Sequence, residues 1–274
     1  MEGEQLKTDK INLESFWTPW KDVEELDFRL GKDFDLVVLG ISIGAFPYIA
    51  PELSDASAKW KAMVENVQTA RTLAMQLWVN KDISELGWTM KSPILDAYAQ
   101  PFNTWADMSQ LICREDWGNE VRSIAYYCGP LEDSVPHEDA VQVVHDRAKA
   151  WLSQFSGLHW PLGCSPGSTT DLDFKNLADP GDGVGDKRFD AQFFRANVDP
   201  SERYVLTVSG STDFRLKPGE SGFDNLYLTG DWTRNGFNAG CIEATVMAGM
   251  ECANAISGFP ALTDIVGLDH LKPS

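Results

Sequence analysis

The chain has 274 residues, of which 41 are acidic and 23 basic, so its formal net charge is −18 with histidine counted as neutral. A surface this negative repels phosphate backbones and anionic lipid headgroups, which argues against nucleic acid and membrane surfaces as partners. Hydrophobic residues make up 43% of the chain and charged residues 23%, as expected for a globular protein with one large domain or two smaller ones.

Cysteine usage and the apolar runs bear on the compartment of the protein. The five cysteines include no C-x-x-C pair, which favours neither a disulfide framework nor a zinc cluster. The opening segment MEGEQLKTDK lacks the apolar core of a signal peptide, and the longest apolar run, LVVLGISIGAFPYIAP, is too short and too interrupted to span a bilayer. We therefore expect a cytoplasmic protein without a transmembrane segment. No metal site is expected, because the histidines have no metal-like spacing: His137, His145, His159 and His270.

The first part of the chain predicts an irregular segment, a strand and a helix. Residues 1–33 are polar, with one aromatic cluster, FWTPW. Residues 34–43, FDLVVLGISI, are a nearly continuous apolar run, which is typical of a strand buried on both faces. A helix is predicted over 54–67, beginning at Ser54 or Asp55 and burying Ala58, Ala62, Met63 and Val67. The stretch TARTLAMQLWV that follows fits a strand or a helix, and we assign it to a strand.

The middle of the chain predicts further strands around one amphipathic helix. The segment SPILDAYAQPF is assigned to a strand and a turn, VRSIAYYCG and YVLTVSG are assigned to strands, and a short helical piece is placed near WADMSQLI. Residues 137–155 form a helix with one apolar face, made of Val141, Val144, Ala148, Trp151 and Leu152. Residues 157–189 are rich in Gly, Pro, Ser and Asp, which predicts a long surface loop or linker.

Residues 226–256, LYLTGDWTRNGFNAGCIEATVMAGMECANAI, predict a short buried strand, a loop and a long helix. Two apolar stripes cover most of that helix, which indicates burial on several sides. The first stripe is Ile242, Val246, Gly249, Ala253 and Ile256, and the second is Ala244, Ala248, Cys252 and Ala255.

The loop and the helix start suggest a ligand site. Free N–H groups at a helix start suit a phosphate or an electron-rich carbonyl, and Gly236 and Gly240 would let a ligand approach the backbone. The carboxylate of Asp231 would accept hydrogen bonds from sugar or polyol hydroxyls. A ligand with phosphate, polyol and a ring with carbonyls, such as FAD, meets these demands. The alternative is that Asp231 only caps the helix or a turn.

The wording of this segment adds a family resemblance. NLYLTGDWTRNGFNAGCIEATVMAGMECANAI closely resembles the C-terminal FAD-contacting segment of flavin amine oxidases, and more specifically of phytoene-desaturase-like and hydroxysqualene-dehydroxylase-like flavoproteins. FDLVVLGISIGAFP and FDAQFFRANVDPSERYVLTVSGSTDFRL are similar to other parts of these proteins, so the resemblance spans roughly residues 13–258. It implies an FAD-binding set made of Gly230, Asp231, Trp232, Gly240, Cys241 and Ile242.

The resemblance also implies a role for most of these residues. Asp231 would bind the ribityl or neighbouring hydroxyls of FAD, and Gly230 would permit its close approach. The N–H groups of Cys241 and Ile242 would face the pyrimidine end of the isoalloxazine ring. The Cys241 thiol is interpreted as a small side chain that fills space, although a helix start can also activate a thiol.

The implied fold is mixed, α+β with α/β. A substrate domain with a mixed sheet and helices would occupy residues 47–221, and residues 34–46 and 222–258 would form part of a Rossmann-like FAD-binding domain. Residues 1–33 and 259–274 would be an irregular N-terminal segment and a tail. Five tryptophans fall in the expected substrate domain and indicate either core packing, which is commoner, or a hydrophobic substrate cavity: Trp78, Trp88, Trp105, Trp117 and Trp160.

The resemblance is incomplete, because no G-x-G-x-x-G segment for the ADP half of FAD occurs in the sequence. The nearest candidate is GISIGA at Gly40–Ala45, which Pro47 follows closely. The chain thus resembles the C-terminal part of a longer flavoprotein: a cloned fragment, a truncated gene product, or a split subunit whose partner chain supplies the ADP site. We expect such a chain to bind FAD poorly alone.

The function expected from the sequence is that of an FAD-dependent oxidoreductase, transferring hydride between an apolar or amine substrate and the flavin. Its small-molecule substrate would be hydrophobic, and no residue is identified as catalytic. Whether the chain is an enzyme by itself is left open. The alternative is a non-catalytic subunit or interaction module derived from such a flavoprotein.

Overall fold

The computed structural model describes residues 2–9, 11–97, 99–117, 119–181 and 183–268, and it has a mixed α+β fold. Two compact units are present, one from residues 1–70 and 199–274 and one from residues 71–198. The helices are α1 Glu2–Thr8, α2 Phe46–Ile49, α3 Pro51–Ala56, α4 Ala58–Asn66, α5 Ala140–Phe155, α6 Asp186–Asp190 and α7 Ile242–Ser257. The strands are β1 Val37–Leu39, β2 Thr69–Val79, β3 Ile94–Asp96, β4 Thr104–Asp107, β5 Ser123–Leu131, β6 Phe193–Asn197, β7 Tyr204–Val205 and β8 Leu226–Leu228.

The first unit contains a parallel pair of strands, β1 and β8, in which Val38 lies opposite Tyr227. Its core joins side chains from both ends of the chain: Ile43, Phe46, Trp60, Met63, Val67, Val205, Leu228 and Trp232. Residues 47–70 and 199–221 therefore belong to this unit, whereas the sequence placed them in the substrate domain. The boundary moves because α4 packs its buried Trp60 and Met63 into the same core as β8.

Strand β1 is shorter and more exposed than expected. Only Val37–Leu39 is extended within residues 34–43, and Val37 and Val38 are 40% and 47% exposed. The prediction of a strand buried on both faces was wrong, because the described residues cover the side chains of Val37 and Val38 only in part.

Two helices of the first unit also differ from the prediction. The helix predicted over 54–67 is broken at Ser57, whose Oγ accepts a hydrogen bond of 3.3 Å from the Trp60 amide and so caps a new helix, α4. Ala58 is exposed and Ala62 half-buried, while Met63 and Val67 are buried as predicted. The N-terminal segment is not wholly irregular, since α1 forms with local support from a Gln5–Asp9 hydrogen bond of 2.8 Å.

Helix α7 has the predicted position but only one buried face. Ala244, Ala248 and Cys252 of the second stripe are buried, together with Met247 and Glu251. The other stripe faces solvent, with Ile242 79% and Val246 55% exposed. Burial on several sides was wrong because the described residues cover one side of this helix.

The second unit is built on an antiparallel sheet with the order β3-β4-β5-β2-β6, rather than on the mixed sheet expected. The strand assigned to TARTLAMQLWV is confirmed as β2. Its first two residues, which belong to the first unit, pair with β7. The amphipathic helix is confirmed as α5, although it starts at Ala140 and leaves Val141 exposed.

The segment 157–189 is not a surface linker. It places fully buried side chains in the second unit, among them Trp160, Leu172 and Leu177. Trp160 packs edge to face on Trp105 with ring centroids 5.9 Å apart. The Gly- and Pro-rich composition thus reflects tight turns that carry core residues. No described helix has the length and apolar character needed to cross a membrane.

Candidate functional site

The candidate site lies where β1 and β8 end. Because the two strands are parallel, their carboxyl ends meet at one edge of the pair. The residues that directly follow the two strands, Gly40 and Thr229, are close together: a Cβ placed on Gly40 would lie 3.0 Å from Cγ2 of Thr229. Asp231 is two residues further along the chain. Ligands of open α/β sheets bind at this kind of edge.

Asp231 carries the free carboxylate of the site. The side chain is half-buried. No described side chain donates to it. Burial raises the pKa of this carboxyl above its ordinary value, and the nearby charge of Arg215 opposes that rise. The carboxylate therefore has capacity to accept further hydrogen bonds.

Trp232 points away from the carboxylate. Its indole is 1% exposed and belongs to the core of the first unit. The whole residue is 1% exposed, so neither the indole nor the backbone of Trp232 is open to a ligand at this edge.

The packing of the protein itself requires a glycine at position 230. Its φ is +132°, and a Cβ there would lie 2.5 Å from Nε1 of Trp232. An L side chain would suffer both backbone strain and a clash with the indole. Gly230 therefore has a packing role, and its role in the approach of a ligand stays a prediction.

Gly236 and Gly240 are likewise filled by protein. A Cβ on Gly240 would lie 2.5 Å from Cζ of Tyr204, and one on Gly236 would lie 2.2 Å from the carbonyl oxygen of Gly267. The Tyr204 hydroxyl also donates a hydrogen bond to the Gly240 carbonyl. The space beside these two glycines, where a ligand was expected to approach, is therefore filled by Tyr204 and by the C-terminal segment.

The start of α7 is exposed and polar. Cys241 caps the helix, and its Sγ accepts a contact of 3.4 Å from the Ala244 amide. The N–H groups of Cys241, Ile242 and Glu243 precede the first intrahelical bonds, so they have no helical acceptor. The Ile242 side chain projects into solvent. This end of the helix can therefore bind an electron-rich oxygen through backbone N–H groups.

A buried polar network holds the loop between Asp231 and α7. The Asn235 side chain accepts hydrogen bonds of 2.9 Å from the amides of Phe237 and Asn238 and donates to the carbonyls of Thr233 and Ala244. Thr207 Oγ1 donates to the Asn238 carbonyl at 2.5 Å. The loop is therefore fixed from within the first unit.

Arg215 was missed by the sequence reasoning. It is 2% exposed, and its guanidinium donates to the Asp231 carbonyl at 2.6 Å. The segment STDFRL that contains it was considered only for its resemblance. The local sequence gave no signal for its role, because its hydrogen bonds go to backbone oxygens of other segments.

The remaining candidates stay apart from this edge. His159 belongs to the second unit and is buried among aromatic rings, and His270 lies outside the described residues. Among the residues that the structure describes, no group of three His, Cys, Asp or Glu side chains could hold a metal ion.

Comparisons with known proteins give limited similarity. No protein-family model and no curated protein matches the chain. One similar solved structure is the crystal structure of an oxidoreductase from Methanosarcina mazei, with 15% sequence identity and a TM-score of 0.45. The match covers 80% of this chain and 43% of that chain, so this chain spans less than half the length of the protein it matches. Similarity at this level does not define an activity.

The residues present fit one end of FAD. A half-buried carboxylate that can accept hydrogen bonds suits ribityl hydroxyls, and helix N–H donors suit a ring carbonyl. A glycine-rich turn for the pyrophosphate is absent from the sequence. The donor set therefore fits the ribityl and ring end, and not the ADP end.

Proposed function

We propose that this chain supplies the ribityl and ring end of an FAD site in an oxidoreductase. The observation that carries the proposal is the Asp231 carboxylate, half-buried and without a described side-chain donor, at the carboxyl end of β8 and ahead of the α7 start. A carboxylate in this position accepts hydrogen bonds from hydroxyl groups.

Each part of the site has one task in this proposal. Asp231 accepts hydrogen bonds from ribityl hydroxyls, and the N–H groups of Cys241 and Ile242 bind a ring carbonyl. The flavin, when bound, supplies the hydride chemistry toward an apolar or amine substrate. The buried loop network keeps these groups in place, which lowers the ordering cost of binding.

The ADP end is assigned to a further polypeptide segment that pairs with β1. Among the described residues, β1 pairs only with β8, and its Val37 and Val38 are exposed. Parallel sheets are normally covered on both faces and continue through strand–helix crossovers. The occupant we propose is a strand–G-x-G-x-x-G–helix unit, with its strand parallel to β1.

A ligand panel tests the proposal. We expect riboflavin, FMN and FAD to bind the isolated chain with similar weak affinity, because this end of the site contacts only the part they share. ADP should not compete with riboflavin. Flavin fluorescence quenching or calorimetry gives the affinities. Absence of riboflavin binding, or competition by ADP, would contradict the assignment.

A second candidate is a non-catalytic subunit that uses the exposed apolar stripe of α7 for association. The exposure of Ile242 and Val246 favours it. Stable binding to a complete, flavin-loaded oxidoreductase, with no riboflavin binding by the chain itself, would support this candidate over the first.

A further inference from the structure

The guanidinium of Arg215 connects separate backbone segments of the first unit. Nη1 donates to the Asp231 carbonyl at 2.6 Å, and Nη2 donates to the Leu206 carbonyl at 3.3 Å and to Thr207 Oγ1 at 3.1 Å. Nε is buried and has no hydrogen-bond partner. The residue thus ties the turn after β8 to the segment after β7.

Arg215 is costly to bury for a purely structural purpose. A buried guanidinium is normally paired with a carboxylate, because burying it without a charged partner is strongly destabilising. Here its hydrogen bonds go to neutral oxygens, while the charged group acting on it is Asp231. Burial lowers the pKa of Arg215, and the charge of Asp231 raises it again.

A second step links the same residue to the helix start. Thr207 Oγ1 receives a hydrogen bond from Arg215 and donates one to the Asn238 carbonyl at 2.5 Å. Asn238 has a φ of +50°, which is unusual for a residue with a side chain. Its own Oδ1 accepts from the Asn235 amide at 3.1 Å. The loop before Cys241 is therefore held by Arg215 through Thr207.

We propose that Arg215 is a positioning residue for the candidate site: its guanidinium binds the Asp231 carbonyl, which holds the turn that carries Asp231 and brings a positive charge to that residue, and through Thr207 it fixes the loop that leads to α7. This inference rests on the proposed function for its ligand, although its geometry stands without one. Arg215 acts through the Asp231 carbonyl and, by way of Thr207, through the Asn238 carbonyl.

The first test needs no ligand. The carboxyl of Asp231 is titrated by ¹³C NMR in the full chain labelled at aspartate, with the signal assigned by its loss in Asp231→Asn. In Arg215→Gln we expect the titration midpoint to rise, because the opposing positive charge is removed. Arg215→Lys retains the charge and should shift it less. An unchanged midpoint in a folded Arg215→Gln protein would overturn the proposal.

The loop is tested separately by Thr207→Val, which breaks the link to Asn238 and retains Arg215. Hydrogen exchange of residues 235–240 should accelerate about tenfold or more, while the Asp231 midpoint stays unchanged. If Arg215→Gln does not fold, Arg215→Lys and Thr207→Val still test the positioning role. An Arg215→Lys protein with the wild-type Asp231 midpoint but faster hydrogen exchange of residues 230–233 supports that role. Exchange unchanged in both variants would contradict it.

Riboflavin binding then distinguishes this inference from the proposed function. We expect riboflavin affinity to fall about tenfold or more in Arg215→Gln and less in Arg215→Lys. A shifted Asp231 midpoint with no riboflavin binding even by the wild-type chain would remove the proposed function and leave the positioning role. Riboflavin binding that is equal in all variants would remove the positioning role alone.

Discussion

The indole of Trp232 meets the ring of Phe46 edge to face, with the centroids 4.9 Å apart and the planes at 87°. Phe46 in turn stacks on Trp60, with centroids 5.3 Å apart. The Gly-Asp-Trp turn is thereby anchored in the core by its tryptophan. The preceding residue, Asp231, remains half-buried at the edge of the strand pair, so adjacent residues have separate tasks.

Replacing Trp232 by Phe should weaken folding and spare the site. The smaller ring leaves a cavity beside Phe46, and we expect a loss of about 1–3 kcal/mol in the free energy of unfolding. Urea denaturation measures this loss. Riboflavin affinity should stay within about twofold, since the indole lies in the core. A large loss of affinity at unchanged stability would place the tryptophan at the ligand instead.

Replacing Gly230 by Ala should be more damaging than replacing Gly258 by Ala. Both glycines have positive φ, but a Cβ on Gly258 meets no atom within 4 Å, whereas one on Gly230 would lie 2.5 Å from Trp232 Nε1. Backbone strain alone costs on the order of 1–3 kcal/mol, and the clash adds to it at Gly230. Thermal unfolding of the two variants, compared with the wild type, separates the cost of backbone strain from the cost of the clash. Equal losses of stability in the two variants would mean that the Trp232 indole moves aside freely.

Replacing Asp231 by Asn should reduce flavin affinity without unfolding the protein. A hydrogen bond to a charged acceptor is worth about 1.5–3 kcal/mol, so its loss should raise the dissociation constant roughly 10- to 150-fold. Fluorescence titration with riboflavin measures it. Asp224→Asn is the matched control, because Asp224 is an exposed carboxylate of the same unit. Equal affinities in the two variants would reduce Asp231 to a cap.

The stability of the second unit should fall in mild acid because of His159. Burial lowers the pKa of this imidazole to about 4 from its ordinary value near 6.5, and its Nδ1 has no hydrogen-bond partner. The unfolded chain binds the proton more readily, so stability is complete above pH 6.5 and is lost as pH falls from 6.5 toward 4. The loss is at most about 3 kcal/mol.

Urea unfolding at about pH 7.5 and about pH 4.5 measures this dependence. His159→Phe keeps an aromatic ring in the cluster and should remove most of it. His137→Gln alters an exposed histidine of the same unit and should leave it unchanged. A pH dependence that is identical in the wild type and in His159→Phe would show that other groups cause it.

The outer edge of β1 should be required for binding the ADP-binding unit. Val38→Arg places a charge on the exposed strand. It should change the free energy of unfolding of the isolated chain by no more than about 0.5 kcal/mol. Association with the strand–G-x-G-x-x-G–helix polypeptide, followed by calorimetry and flavin absorbance, should be lost. Val141→Arg, on the exposed side of α5, is the control and should retain association.

Local signals predicted the C-terminal elements well. The apolar run before Gly-Asp and the small-residue stripes correspond to β8 and α7. The same periodicity could not tell which stripe is buried, because both are apolar and only the neighbouring elements decide. Ala244 and Ala248 were found on the buried side, and Ile242 and Val246 on the exposed one. For the same reason the burial of β1 was overestimated.

The candidate site shows the same division. Asp231 and the helix start could be recognised from their residue types and order, whereas Arg215, Thr207 and Tyr204 could not. These three act through hydrogen bonds to backbone oxygens of segments that are distant in the chain. Glycine composition was also ambiguous: the space beside Gly240 belongs to Tyr204, a fact that no local pattern contains.

The sequence by itself determined the strong negative charge, the order of the main elements and the Gly-Asp-Trp turn before a long helix, because these depend on residue type and on short-range periodicity. Only the tertiary structure decided that β1 pairs in parallel with β8, that Trp232 packs on Phe46 and that Arg215 reaches the Asp231 carbonyl. Such contacts join residues far apart in the chain, and their free energy is gained only when folding brings them together.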